Sequence, residues 1–167
     1  MNNTNREVAP IVIENVADIR YKNFEGRVTK ANRNGVPQFA LFLDPELIDI
    51  QQLIDEGWNV KAKEFDEDDR PTEYYVYVDV NYNYRILPEA ILIINPRDGE
   101  APHGVRLDEE TLYQLDDAVF TAASVVIRPR IWTDDDGRVR VKAYLQKLIA
   151  WSDPDYFQDA LEGVIFD

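Results

Sequence analysis

"YYVYVDV", residues 74–80, alternates valines with more polar residues. Val76, Val78 and Val80 fall on one side of an extended backbone, and Tyr75, Tyr77 and Asp79 on the other. That two-residue period belongs to a strand with one buried and one wet face. "RVRVKAYLQKLIAW" (138–151) repeats it, with Val139, Val141, Ala143 and Leu145 opposite Arg138, Arg140, Lys142 and Tyr144. "WNVKAKEF" (58–65) sets Trp58, Val60 and Ala62 against Asn59, Lys61 and Lys63. Further strand candidates are 11–15, 19–30, 38–43, 90–94 and 124–132. "ANRNGVPQ" (31–38) and "DDDGR" (134–138) carry the Asn-Gly and Asp-Gly chemistry of tight hairpins.

Three helical patterns interrupt the strands. "DPELIDIQQLIDEG" (44–57) offers Asp44 as cap, Pro45 at the first helical position and Gly57 after the last turn. Its apolar set is Leu47, Ile50, Leu53 and Ile54. "DEETLYQLDDAVF" (108–120) repeats the logic with Asp108 as cap and Leu112 and Leu115 inward. "DPDYFQDALEG" (153–163) gives a third, shorter helix. Helices this short need docking to persist. No repeat or linker divides the chain, so we expect a disordered start (1–10), one domain (11–151) and an acidic C-terminal segment (152–167). The fold expectation is β-rich: an OB-like antiparallel barrel with inserted short helices, with an α+β roll as alternative.

The chain has 167 residues, no cysteine and a formal charge of −14. Without cysteine there are no disulfides, thiolate nucleophiles or Cys-bound zinc, as suits a reducing cytosol. No apolar run approaches the ~18–20 residues of a membrane helix, and "MNNTNREVAP" lacks the pattern of a signal peptide. The cytoplasm is the expected location. His103, the one histidine, sits in "DGEAPHGVR", a loop by composition. Neither "DDDGR" nor "EFDEDD" (64–69) has the ligand spacing of a calcium loop. GxxxxGK[ST], GxGxxG and GxSxG are all missing. The reading is therefore a binding protein, with no catalytic residue, metal or cofactor assigned.

The basic residues do not follow the net charge. Between Arg20 and Arg33 stand five bases and one acid, Glu25. Arg20, Lys22 and Phe24 share a face of one expected strand, and Arg27, Lys30 and Arg33 follow around a turn. In "VIRPRIW" (126–132) Arg128, Arg130 and Trp132 share a face, and across the Asp-Gly turn they meet Arg140, Lys142 and Tyr144. Trp58, Lys61, Lys63, Tyr82, Tyr84 and Arg85 extend the set. Cations that track phosphates, interleaved with flat rings on which bases stack, are what a nucleic-acid single strand requires. The plain alternative is a solvated strand face with core aromatics, as expected for Phe39, Phe42, Tyr113 and Phe120. Against it, bases gather on two hairpins while acids gather in helices, hairpin tips and the tail.

"RYKNFEGRVTKANRNGVPQFALFLD" (20–44), "DEGWNVKAKE", "LDEETLYQLDDA", "VVIRPRIW" and "VKAYLQKL" resemble, in that order, a group of phage and prophage single-stranded-DNA-binding proteins of OB-fold type. The similarity runs from about residue 11 to 150. The resemblance implies single-stranded DNA as partner, bound without sequence preference and stoichiometrically, in phage replication or recombination. The chemistry of the side chains nominates Lys22, Phe24, Arg27, Lys30, Arg33, Trp58, Lys61, Arg128, Arg130, Trp132, Arg140, Lys142 and Tyr144 for that surface. The segment from Ser152 carries five acids and no base and ends "VIFD". It is similar to the acidic tails of such proteins, which implies docking of replication or recombination proteins, or competition with DNA. Asp153, Asp155, Tyr156, Phe157, Phe166 and Asp167 are its candidate contacts. A homo-oligomer is also admitted. The rival readings are an acidic interaction module that mimics DNA or blocks a host factor, and a virion structural subunit.

Overall fold

A long antiparallel hairpin organises the molecule, a computed structural model that describes residues 8–95 and 101–153. Its arms are β8 (Phe120–Thr133) and β9 (Val139–Ser152). The other strands are β1 (Ile11–Ile13), β2 (Asp18–Asn23), β3 (Gln38–Leu43), β4 (Lys61–Lys63), β5 (Glu73–Asp79), β6 (Glu89–Ile94) and β7 (His103–Leu107). They form one mixed sheet of nine strands along the path β1-β8-β9-β5-β3-β2, with β4 on β5 and β7 on β6. β9 is shared by two wings. Its early part meets β5 through the parallel pair Asp79–Tyr144, and its later part runs parallel to β6 from Lys147 to Ser152. A bulge near Ile127 bends the hairpin where the wings diverge. The expected β-rich architecture with few short helices is observed, as a curved sheet and not a closed barrel.

The alternation read from residues 74–80 holds: Val76, Val78 and Val80 are buried, while Tyr75, Tyr77 and Asp79 are half-buried on the other face. Phe39, Leu41, Val125, Ile127, Val141, Ala143 and Leu145 complete the inner face. Full burial of each large apolar side chain stabilises the fold by about 1.5–3 kcal/mol.

The helices are shorter than their sequence patterns. Asp44 does cap a turn, accepting from the Glu46 N–H at 2.9 Å, but the helix α1 is only Ile50–Glu56. Asp49 is its cap: with ψ near 99° it breaks the helical path and accepts from the Gln52 N–H. Leu47 and Ile54 therefore lie exposed, and Leu53 alone of the α1 residues is buried. Gly57 ends α1 in the left-handed region, as its position suggested. Asp108 holds a turn through the Glu110 and Thr111 N–H groups, and α2 (Gln114–Asp117) follows, burying Leu115 while Leu112 just before it is also buried. "DGEAPHGVR" was expected as loop, yet its end forms β7 as the antiparallel partner of β6. "WNVKAKEF" yields only the short β4. All but the first residue of the helix expected over 153–163, residues 1–7 of the expected disordered start, and Asp155, Tyr156, Phe157, Phe166 and Asp167 lie outside the described residues. Among the described residues no helix is long and apolar enough to cross a membrane.

Candidate nucleic-acid interface

The outward face of the sheet carries the cations. In the β8–β9 hairpin Arg128 opposes Tyr144, Arg130 opposes Lys142 and Trp132 opposes Arg140, so the two basic strands share one face in register, as the alternation required. Trp132 is 49% exposed, enough for one ring face to receive a base. Tyr84 stands beneath this arm, with the Arg128 and Arg130 guanidinium carbons 5.6 and 5.2 Å from its ring centre. Arg130 also donates to its hydroxyl.

The 24–37 loop brings the second group. Two buried asparagines hold its frame. The Asn23 side chain accepts from the Arg27 N–H at 2.8 Å and donates to the Arg27 carbonyl at 3.0 Å. Asn32 donates to the carbonyls of Arg27 and Val36 and accepts from the Val36 N–H. Gly26 closes the neck, where a Cβ would lie 2.8 Å from the Gly35 carbonyl oxygen. With the backbone tied inward, Arg27, Lys30 and Arg33 are exposed.

Loop and hairpin meet at a cleft of about 430 Å³ lined by Ala31, Gln38, Tyr77, Asp79, Trp132, Arg140 and Lys142. Its floor is Gly57–Asn59, wedged between β5 and β9, where Trp58 bridges to Val141 and the Val141 N–H donates to the Gly57 carbonyl at 2.9 Å. Two acids sit among the cations: Asp79 pairs with Lys142 at 3.1 Å and Asp134 with Arg140 at 2.9 Å. The Asp134 carboxyl is held below its usual range, first by the Arg138 N–H and then by Arg140.

Four nominated residues are placed differently. Phe24 is 1% exposed and stacks on Phe39 at 5.2 Å in the core. Lys22 is turned inward, donating to the Leu115 and Ala118 carbonyls over the Phe120 ring. Its pKa is lowered, mainly by burial. The cause is at Tyr21, whose φ of 52° inserts an extra residue into β2, so that Asn23 opposes Gln38 where an unbroken register would place Lys22. Trp58 is 4% exposed and Tyr144 6%, so neither offers a ring to a base. Their roles are the cleft floor and the packing of Tyr84, 5.1 Å away.

Sequence reading nominated Lys61 and placed Tyr75, Tyr77 and Asp79 outward, but did not connect the last three to the surface. Lys61 is exposed opposite Tyr75 in the β4–β5 register. Arg20 is engaged by Asp18 and Glu73 at 2.8 and 2.9 Å, and these partners raise its pKa further. Of the tail candidates only Asp153 is described, accepting from the Asn95 amide at 2.9 Å.

The sequence model of a protein family described as "Putative phage ssDNA-binding domain" matches residues 3–164. Among solved structures, the single-stranded DNA-binding protein from bacteriophage Enc34 is similar with TM-score 0.51 and 13% identity, covering 87% of this chain and 82% of that one. Its C-terminal truncation gives 0.49 at 15% identity, covering 87% of each chain. The gp2.5 single-stranded DNA-binding protein of bacteriophage T7 gives 0.38 at 12%, covering 90% of this chain and 94% of that one. No curated protein sequence matches.

Proposed function

From the premise that the chain belongs to the phage ssDNA-binding domain family, we propose that it binds single-stranded DNA stoichiometrically and without sequence preference during phage replication or recombination. The observation that carries the reading is the cleft where Ala31 of the 24–37 loop meets the outward face of the hairpin, lined by Arg140 and Lys142 and carrying an exposed Trp132. Arg27, Lys30, Arg33, Arg128, Arg130, Arg140 and Lys142 meet phosphates, and Trp132 stacks a base. Cations that hold phosphates and a ring that stacks any base suit any sequence. The protein acts by binding, not as an enzyme, in the cytosol of the infected cell. The acidic segment from Ser152 recruits replication or recombination proteins, or occupies the face when DNA is absent.

The test is anisotropy of a labelled single strand of about 30 nucleotides, titrated at two salt concentrations beside the matching duplex. Tight binding to the single strand that weakens as salt rises, with little binding to the duplex, is expected. No binding at low salt, where attraction between charges reaches furthest, sinks the proposal and leaves the acidic surface as the functional one.

A further inference from the structure

The outward face does not stop at the hairpin. β5 continues it through Tyr77, which lines the cleft, to Tyr75, whose ring lies edge-on to Tyr77 at 5.7 Å. Tyr75 stacks on Phe42 at 4.8 Å, and Tyr21, 48% exposed, packs against both. The face of an antiparallel sheet turned to water is ordinarily polar; here it carries three partly exposed tyrosines, Tyr77, Tyr75 and Tyr21, packed around the buried Phe42 ring. Register adds cations beside them: Lys61 stands opposite Tyr75, and the Lys63 ammonium donates to the Tyr21 hydroxyl at 2.8 Å. The row ends at the turn 64–69, where Glu64, Asp66, Glu67, Asp68 and Asp69 are exposed.

We propose that this row is a second stretch of the DNA path, on which bases leaving the cleft over Tyr77 stack against Tyr75 while Lys61 and Lys63 hold the phosphates. The inference rests on the proposed function and adds a direction and an end: from Trp132 across the Gly57–Asn59 floor to β5, closing at the acidic turn. Tyr77 and Tyr75 lie two residues apart along β5, about 6.8 Å of strand, so the row lengthens the path that the hairpin alone offers.

Oligothymidylates of about 4 to 16 nucleotides, the range a fold of this type covers, test it on the full chain. Wild-type affinity should climb with length until the row is filled. Tyr75→Leu should bind the shortest oligomers like wild type and fall behind on the longest by roughly five-fold or more, the equivalent of one lost stacking contact. Tyr75 also packs on Phe42, so Lys61→Gln, at an exposed position, is the second variant; it should lower the salt slope for long oligomers by about one and leave short ones unchanged. If both variants follow wild type at every length while Trp132→Ala weakens binding, the row is not part of the path although the cleft reading stands. If both lose affinity equally at all lengths, the row is not a separate stretch. If wild type binds no oligomer, both readings fall.

Discussion

Asp79 is the acid that the cationic face keeps near its centre. Its side chain is 14% exposed and pairs with Lys142, so a phosphate arriving at Lys142 must displace a carboxylate already in place. Asp79→Asn should raise single-strand affinity and steepen its dependence on salt, since one more cation then releases its counterion to DNA. Stability should change by less than about 1 kcal/mol, as for other ion pairs with an exposed partner. Equal or weaker affinity in the variant would show that Asp79 positions Lys142 rather than competing for it. At this scale the sequence was legible wherever strands run without interruption. Arg130, Trp132, Arg140 and Lys142 all face outward as their spacing required. Lys22 and Phe24 were misread because alternation keeps its phase only while the backbone stays extended, and the left-handed Tyr21 shifts it by one residue. Trp58 alternates correctly with Asn59, but spacing alone does not show that its ring joins the buried core.

The hairpin arm depends on an element boundary that looks like a mere helix stop. Gly57 caps α1 with φ at 105°, and a Cβ there would sit 2.5 Å from the Val139 carbonyl oxygen. The same residue accepts the Val141 N–H, so the end of α1 is the seat on which the start of β9 rests. Gly57→Ala should therefore lower stability by about 1 kcal/mol or more through the strained φ alone, and should also weaken DNA binding by moving Arg140, Lys142 and Trp132. A melting curve and the anisotropy titration check both effects. Normal melting with normal affinity would mean that the arm holds its place without this contact. The glycine was readable as a stop signal from the sequence. Its close approach to a strand more than eighty positions away was not, because nothing local to residues 50–57 encodes it. Asp49 shows the complementary limit: Asp44 was expected as the helix cap, and Asp49 takes that place.

Over the whole molecule the net charge and the local charge serve opposite ends. The chain carries −14, yet the face from Trp132 to Tyr75 gathers cations, with Asp79 and Asp134 paired among them and further acids at its limits: Asp135 and Asp136 at the hairpin tip, and residues 64–69 beyond β4. Composition alone argued against coating of nucleic acid, and only the segregation of bases onto neighbouring strands reversed that argument. The folded sheet sharpens it, because basic positions at 61–63, 128–130 and 140–142 share one face, and the 27–33 loop reaches its cleft through Ala31. On the proposed function, such a border would discriminate by width and charge density. A single strand along the face would bring one charge per ~3.4 Å, whereas a duplex carries one per ~1.7 Å and would bring its second backbone toward the acidic turns. Neutralising the 64–69 turn with Asp66→Asn, Glu67→Gln, Asp68→Asn and Asp69→Asn should then raise affinity for duplex more than for single strand at low salt. Competition between a labelled single strand and unlabelled duplex measures the difference directly. A parallel rise for both forms would assign the turn a general repulsion, and the preference for single strands would then come from base stacking on Trp132 and the tyrosine row.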